Sequence, residues 1–392
     1  MLFSLALMFL LGLLLASTFR KLKLPSLLGM LLTGIILGPY ALNLLDDSIL
    51  NISPELRKIA LIIILTRAGL SLNISDLKKV GRPAILMCFI PACFEILGMV
   101  IIGPKIFDIS ILDAAIIGTI LGAVSPAVVI PKMLYLMERN IGTKKSIPQL
   151  ILAGSSVDDI FVIVLFTIFT GLAQTGNISI ASFLQIPISI ITGVVVGLFI
   201  GILLVKLFKY IHIRDSVKVI IILSISFILV TAEDYLESTV PFSGLLAIMT
   251  LAIIIQKKYT VLSSRLSIKF SKLWIAAEII LFVLVGASVD LVHVSSEGVS
   301  VIIVIFGALA FRMIGVLLCL LKTNLTFKER VFCIIAYVPK ATVQAAIGGI
   351  PLAMGLPIGT LALTIAVLSI LITAPLGALG IDLSYKKLLE QN

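Results

Sequence analysis

The sequence predicts an all-α polytopic membrane protein with thirteen transmembrane helices, organised as two inverted-topology repeats with two discontinuous crossing helices. Three observations carry this expectation. Of 392 residues, 60% are hydrophobic and 13% charged, with a mean hydropathy of +1.24, whereas a soluble domain carries roughly 25% charge. Basic residues cluster in alternate connections, and the chain matches itself at an offset of about 214–218 residues. The composition excludes a soluble globular protein. At about 20 apolar residues per crossing, the remaining connections are short and leave no room for a separate soluble domain. The net charge of +10 sits in short clusters between apolar runs, which is a topology signal rather than a nucleic-acid footprint.

The apolar spans fall near 2–19, 24–42, 57–73, 82–103, 111–136, 147–172, 183–209, 216–236, 241–256, 272–292, 299–321, 330–353 and 357–380. The first lacks a basic leader and is followed by Arg20, Lys21 and Lys23, so it reads as a retained helix rather than a signal peptide. Counted with the charges at the flanking span ends, every connection after an odd-numbered span is net positive. Those after even-numbered spans are neutral or negative. The ninth-to-tenth connection carries Lys257, Lys258, Arg265, Lys269 and Lys272, while the eighth-to-ninth holds Glu233, Asp234 and Glu237. Positive residues collect on the cytoplasmic side. The expected location is therefore a cell membrane, with the N-terminus outside and the C-terminus cytoplasmic.

Three pairs of segments make the internal match. PACFEILGMVII at 91–102 aligns with ALAFRMIGVLLC at 308–319, setting Phe94, Glu95 and Gly98 against Phe311, Arg312 and Gly315. AVSPAVV at 123–129 aligns with YVPKATV at 337–343, and the run after Pro25 aligns with that after Pro241. The offset spans seven helices, so the second half must cross in the opposite sense. Inverted repeats of this kind characterise alternating-access transporters.

A charge at the bilayer centre costs on the order of 3 kcal/mol and marks a functional candidate. Counting depth along the spans places Glu95, Asp158, Asp159, Arg312 and Lys340 near the midplane. Pro126 (after Ser125) and Pro339 (before Lys340) interrupt the fifth and twelfth spans at equivalent places, and paired interruptions point to a substrate site. Asp158 and Asp159, neighbours on one helix, point about 100° apart. One can face a protein cation while the other faces a water-filled cavity, which suits exchange of protons for a hard monovalent cation. Ser155 and Ser156 lie within a turn and either lend hydroxyls or pack helices; Ser125, Thr342 and Gln344 flank the breaks. Glu95 and Arg312 are expected to form a structural ion pair. Arg67 and Glu278 are expected to snorkel, and Asp113 to be interfacial. Cys88, Cys93, Cys319 and Cys333 lack metal spacing, and His212 and His293 lie in connections, so the only metal expected is a monovalent cation at Asp158 and Asp159.

With AGSS-Val157-Asp158-Asp159, GAVSPAVVIPKM and PKATVQAAIG, the sequence resembles the cation:proton antiporter superfamily, most closely its NHA branch of sodium/proton antiporters, the paired-aspartate type. The similarity runs over nearly the whole chain. It implies exchange of sodium or lithium for protons with no cofactor, a homodimer in the lipid bilayer, and elevator-like movement. The domains it implies are a dimerisation domain (1–56 and 216–260), a core (57–172 and 261–392) and a linker helix (173–215). It also implies that Asp159 binds cation or protons, that Asp158 is the charge partner of Lys340, and that Glu95 with Arg312 is structural. Ser125 stands where some bacterial relatives carry a carboxylate. Asp158, where other relatives have Asn, suggests electrogenic exchange. The alternatives are a potassium/proton exchanger on the same fold, many of whose potassium-efflux members carry nucleotide-binding regulatory domains of a kind not expected here, and, more remotely, an intramembrane aspartyl protease. A protease takes its two aspartates from separate helices; no enzyme activity is expected. An ion channel would account for midplane charges but not for inverted repeats with matched breaks.

Overall fold

The computed structural model describes residues 1–72, 80–175, 180–211, 213–236 and 242–390, which form helices joined by turns. In chain order these are α1 (Leu2–Lys21), α2 (Ser26–Leu37), α3 (Asp47–Asn51), α4 (Ser53–Ser71), α5 (Arg82–Met87), α6 (Ile90–Phe107), α7 (Ile111–Leu121), α8 (Pro126–Glu138) and α9 (Ile147–Thr175). There follow α10 (Ile180–Tyr210), α11 (Asp215–Leu236), α12 (Gly244–Lys258), α13 (Thr260–Ala287), α14 (Leu291–Cys319), α15 (Phe327–Ala336), α16 (Thr342–Ile347), α17 (Ile350–Ala353) and α18 (Gly359–Leu388). Among the described residues nine stretches are long and apolar enough to cross a membrane, with α5–α6 and α7–α8 counted as one each. Ser26–Leu37 and Thr342–Ala353 are apolar but shorter.

Proline explains where the expected spans divide. Pro91 stands in the first turn of α6; it has no N–H for the Met87 carbonyl four residues earlier, and its ring crowds that carbonyl. The span expected to be continuous over 82–103 therefore separates into α5 and α6 around Cys88 and Phe89. Pro126 opens α8 as its first residue, and Pro351 stands second in α17, where it has no N–H for the Ile347 carbonyl that ends α16, so the twelfth span comes in three pieces rather than two. Pro104, Pro131 and Pro375 remain inside their helices.

Contacts gather the chain into two compact units: Met1–Pro54, Ile74–Phe169 and Ile279–Asn392 form one, Glu55–Asn73 and Thr170–Glu278 the other. In the first, α1 packs along α2, α6 along α14, and α15 against α18. The α6–α14 contact explains the repeated aromatic–charge–glycine pattern. A Cβ added at Gly98 would sit 2.9 Å from Phe311 Cβ, and one at Gly315 would sit 3.1 Å from Phe94 Cβ. Each glycine thus receives the aromatic residue of the facing helix, and this close approach brings Glu95 and Arg312 to one level. In the second unit α12 packs on α10 and α11. Ser263 Oγ donates to the Leu70 carbonyl at 2.7 Å, and Arg265 pairs with Asp215 at 2.9 Å.

Candidate functional site

The site grows from two broken helices of the first unit. Between α7 and α8 lie Gly122, Ala123, Val124 and Ser125; between α15 and α16 lie residues 337–341. The breaks meet where the Ser125 amide donates to the Pro339 carbonyl at 2.7 Å. Because Pro126 has no N–H, the Gly122 carbonyl loses its helical donor, and no water replaces it inside a membrane. Arg312 Nη1 donates to that carbonyl instead. Lys340 Nζ donates to the Leu121 carbonyl at 2.6 Å, and Gln344 Nε2 to Ala123 at 2.9 Å and to Leu121 at 3.4 Å. The Val124 amide donates to Asp158 Oδ2 at 2.9 Å. In the second break Lys340 N donates to Thr373 Oγ1 at 3.0 Å, and the Tyr337 carbonyl accepts Arg312 Nε at 3.1 Å.

Four charges meet beside the crossing, all with fully buried side chains. Arg312 Nη1 pairs with Glu95 Oε2 at 2.9 Å and Nη2 with Asp158 Oδ2 at 2.7 Å, while Lys340 Nζ pairs with Glu95 Oε1 at 2.6 Å. The pairing expected between Lys340 and Asp158 is thus absent. Its replacement has a geometric cause: the planar guanidinium can bridge two carboxylates at once, so Arg312 occupies Asp158 and leaves the second oxygen of Glu95 for the lysine. Glu95 and Arg312 do meet, as members of a network rather than as an isolated pair. Two cations and two carboxylates balance.

Asp159 lies outside that balance. It is half-buried, and its Oδ1 is shielded without a hydrogen-bond partner among the described residues. Ser125 Oγ and Thr342 Oγ1 are likewise buried and unpartnered there, as are Asp158 Oδ1 and Gln344 Oε1. Ser155 Oγ donates back to the Leu152 carbonyl at 3.2 Å. The side chains of Ser156 and His293, and residues His212 and Glu237, lie outside what the structure describes. Asp113 sits in the first turn of α7, where its amide donates to the capping Ser110 Oγ at 3.0 Å. Arg67 and Glu278 belong to the other unit. Cys88, Cys319 and Cys333 are buried and Cys93 is exposed, all as free thiols.

Thr373 and Tyr337 escaped the sequence reading, and Gln344 entered it only as a neighbour of the break. A signal for Thr373 existed: Ser369 and Thr373 stand four apart in the apolar middle of α18, and Thr373 Oγ1 also donates to the Ser369 carbonyl at 2.7 Å. Nearer the ends of the first unit, Lys132 pairs with Asp382 and Lys145 with Glu329 at 2.9 Å. Glu329 also closes a capping box with Thr326. Burial pushes the Glu329 carboxyl up, but the bonds from Lys145 and from the Thr326 amide and hydroxyl outweigh it and hold the group below its usual range.

Two half-helices crossing beside paired carboxylates, with buried cations on the freed carbonyls, define a membrane transporter of the broken-helix class. The family described as "Sodium/hydrogen exchanger, transmembrane" matches residues 5–383, and the chain belongs to it. It is 31% identical over 384 residues to sodium/hydrogen exchanger 9B2 of Mus musculus, covering 94% of this chain and 69% of that protein. With sodium/hydrogen exchanger 9B1 of Homo sapiens the identity is 32% over 391 residues, covering 94% and 73%. The solved structure of the sodium proton antiporter MjNhaP1 from Methanocaldococcus jannaschii at pH 8 superposes with a TM-score of 0.85 at 23% identity, over 98% of this chain and 97% of that one. That likeness is one of fold.

Proposed function

We propose that the chain is a secondary antiporter that exchanges sodium or lithium for protons across a cell membrane, with Asp159 as the group that carries either ion. One observation supports this above the rest: Glu95, Asp158, Arg312 and Lys340 neutralise one another, so Asp159 is the carboxylate of the site without a protein counter-charge. A carboxylate shielded from water is costly unless something compensates it, and a proton or a small cation does so interchangeably. That is the chemistry of exchange. Ser125, Thr342 and Ser155 supply neutral oxygens nearby in sequence or at the breaks, while Glu95 and Arg312 hold the scaffold. The accompanying architecture is thirteen crossings in inverted repeats, N-terminus outside and C-terminus cytoplasmic, forming a homodimer through 1–56 and 216–260. The core, 57–172 and 261–392, moves as an elevator about the linker helix 173–215.

The test is exchange in proteoliposomes under an imposed pH gradient, with sodium, lithium and potassium compared at several pH values. Sodium- or lithium-driven proton movement is the expected result, and Asp159→Asn should abolish it while leaving folded protein, because the amide keeps the shape but neither titrates nor carries charge. Equal rates for Asp159→Asn and the unaltered chain would remove Asp159 from the role. Exchange with potassium alone would redirect the reading to the potassium/proton alternative.

A further inference from the structure

Tyr337 is fully buried at the mouth of the second break and touches the charge network twice. Its carbonyl accepts Arg312 Nε at 3.1 Å, and its ring lies 5.4 Å from the guanidinium carbon, within cation–π range. The far end of the ring rests on α9. At Gly154 a Cβ would overlap the Tyr337 hydroxyl oxygen, while standing 3.4 Å from Tyr337 Cζ and 3.0 Å from Met87 Cβ. Gly154 is one turn before Asp158, on the same helix face. The hydroxyl is also 3.5 Å from the Met87 carbonyl, the group that Pro91 deprives of its helical donor. Tyr337 therefore spans the space between the arginine that holds Asp158 and the helix that carries Asp158 and Asp159.

We infer that Tyr337, seated in the notch left by Gly154, is a positioning residue for ion binding: it sets how Arg312 engages Asp158 and so where the adjoining Asp159 stands. This rests on the exchange reading above. Loss of a cation–π contact changes an equilibrium by about 2-fold at an exposed site and by about 30-fold at a desolvated one, which bounds the expected shift. In proteoliposomes, Gly154→Ala should raise the apparent KM for sodium on the order of threefold to tenfold, with a smaller change in maximal rate, because the methyl group displaces the hydroxyl and tilts the ring. Tyr337→Phe should stay near the unaltered protein, since the ring remains and the hydrogen bond it loses is long. The double variant Gly154→Ala/Tyr337→Phe should return KM toward the original value, the added methyl then meeting only ring carbon and Met87. Tyr337→Leu, with no ring under the guanidinium, should raise KM and should not be rescued by Gly154→Ala. A merely structural contact would lower the amount of folded protein and the maximal rate with KM unmoved. An unshifted KM in Gly154→Ala, or a double variant no better than Gly154→Ala alone, overturns the inference. Absence of sodium-driven proton movement in the unaltered protein would instead defeat the exchange reading.

Discussion

The two broken helices solve the same problem in opposite ways. The break between α7 and α8 contains no charged residue, and its three carbonyls at Leu121, Gly122 and Ala123 are met by Lys340, Arg312 and Gln344 from the other end of the chain. The break between α15 and α16 carries its own cation, Lys340, and is tied by Thr373, Arg312 and the Ser125 amide. The carbonyl end of a half-helix holds roughly half a negative charge, so the neutral break depends on side chains it does not possess. The comparison teaches that its integrity resides in residues more than 180 positions away, with Arg312 serving both breaks.

The largest expected effect follows from that shared role. Arg312→Gln leaves Asp158 without its counter-charge, and one oxygen of Glu95 and two carbonyls without a donor, in a site closed to water, which should cost roughly 3–5 kcal/mol, read as a lowered melting temperature in detergent. Exchanging the charges, Glu95→Arg with Arg312→Glu, should not recover the loss, because the new glutamate would face Asp158. Recovery by the exchange would show an isolated pair and break the comparison. Lys340→Gln comes next, leaving one oxygen of Glu95 and the Leu121 carbonyl short of a donor at about 1–3 kcal/mol. Because Lys340 engages Glu95 rather than the paired aspartates, the charge moved per cycle at clamped potential should stay as in the unaltered protein; a change would put the lysine in the ion-carrying step.

Gln344 sharpens the comparison further. Gln344→Leu removes both amide bonds to the neutral break, about 1–2 kcal/mol. Gln344→Glu should be worse than Gln344→Leu despite its better fit, since it turns a carboxylate toward carbonyl oxygens; melting curves of the two variants check the order. The smallest effect lies away from the crossing. The Glu329 carboxyl is held below its usual range, so its clasp with Lys145 and Thr326 is present above the unfolded-chain pKa and is lost as pH falls through the lower, folded value. Between about pH 6 and pH 3 the unaltered protein should lose a contribution under about 1 kcal/mol that Glu329→Gln lacks throughout. Parallel melting curves for the two across that window would contradict the linkage.

Much of this was legible in the chain itself. Hydropathy and the alternation of loop charge are one-dimensional signals, and a proline, lacking a backbone donor, marks a place where a helix can be interrupted, as at Pro126 and Pro339, although Pro104, Pro131 and Pro375 stay within theirs. Charges stand out singly in apolar runs because each is expensive there, so Glu95, Asp158, Asp159, Arg312 and Lys340 could be named before any contact was known. The interruption at Pro91 was equally available, since it obeys the same rule.

Partnership was not available in this way. Whether Lys340 meets Asp158 or Glu95 depends on which carboxylate the guanidinium of Arg312 already occupies, and that depends on how closely α6 and α14 approach through Gly98 and Gly315. Tyr337 and Gln344 carry no mark in sequence, and the Ser369–Thr373 spacing is only a faint one, because hydroxyl and amide groups are common and their use is set by what faces them. Sequence determined which groups had to be paid for in the membrane, since that cost belongs to each residue alone. Only the tertiary structure decided which group answered which, because pairing depends on distances of a few ångströms between residues far apart in the chain.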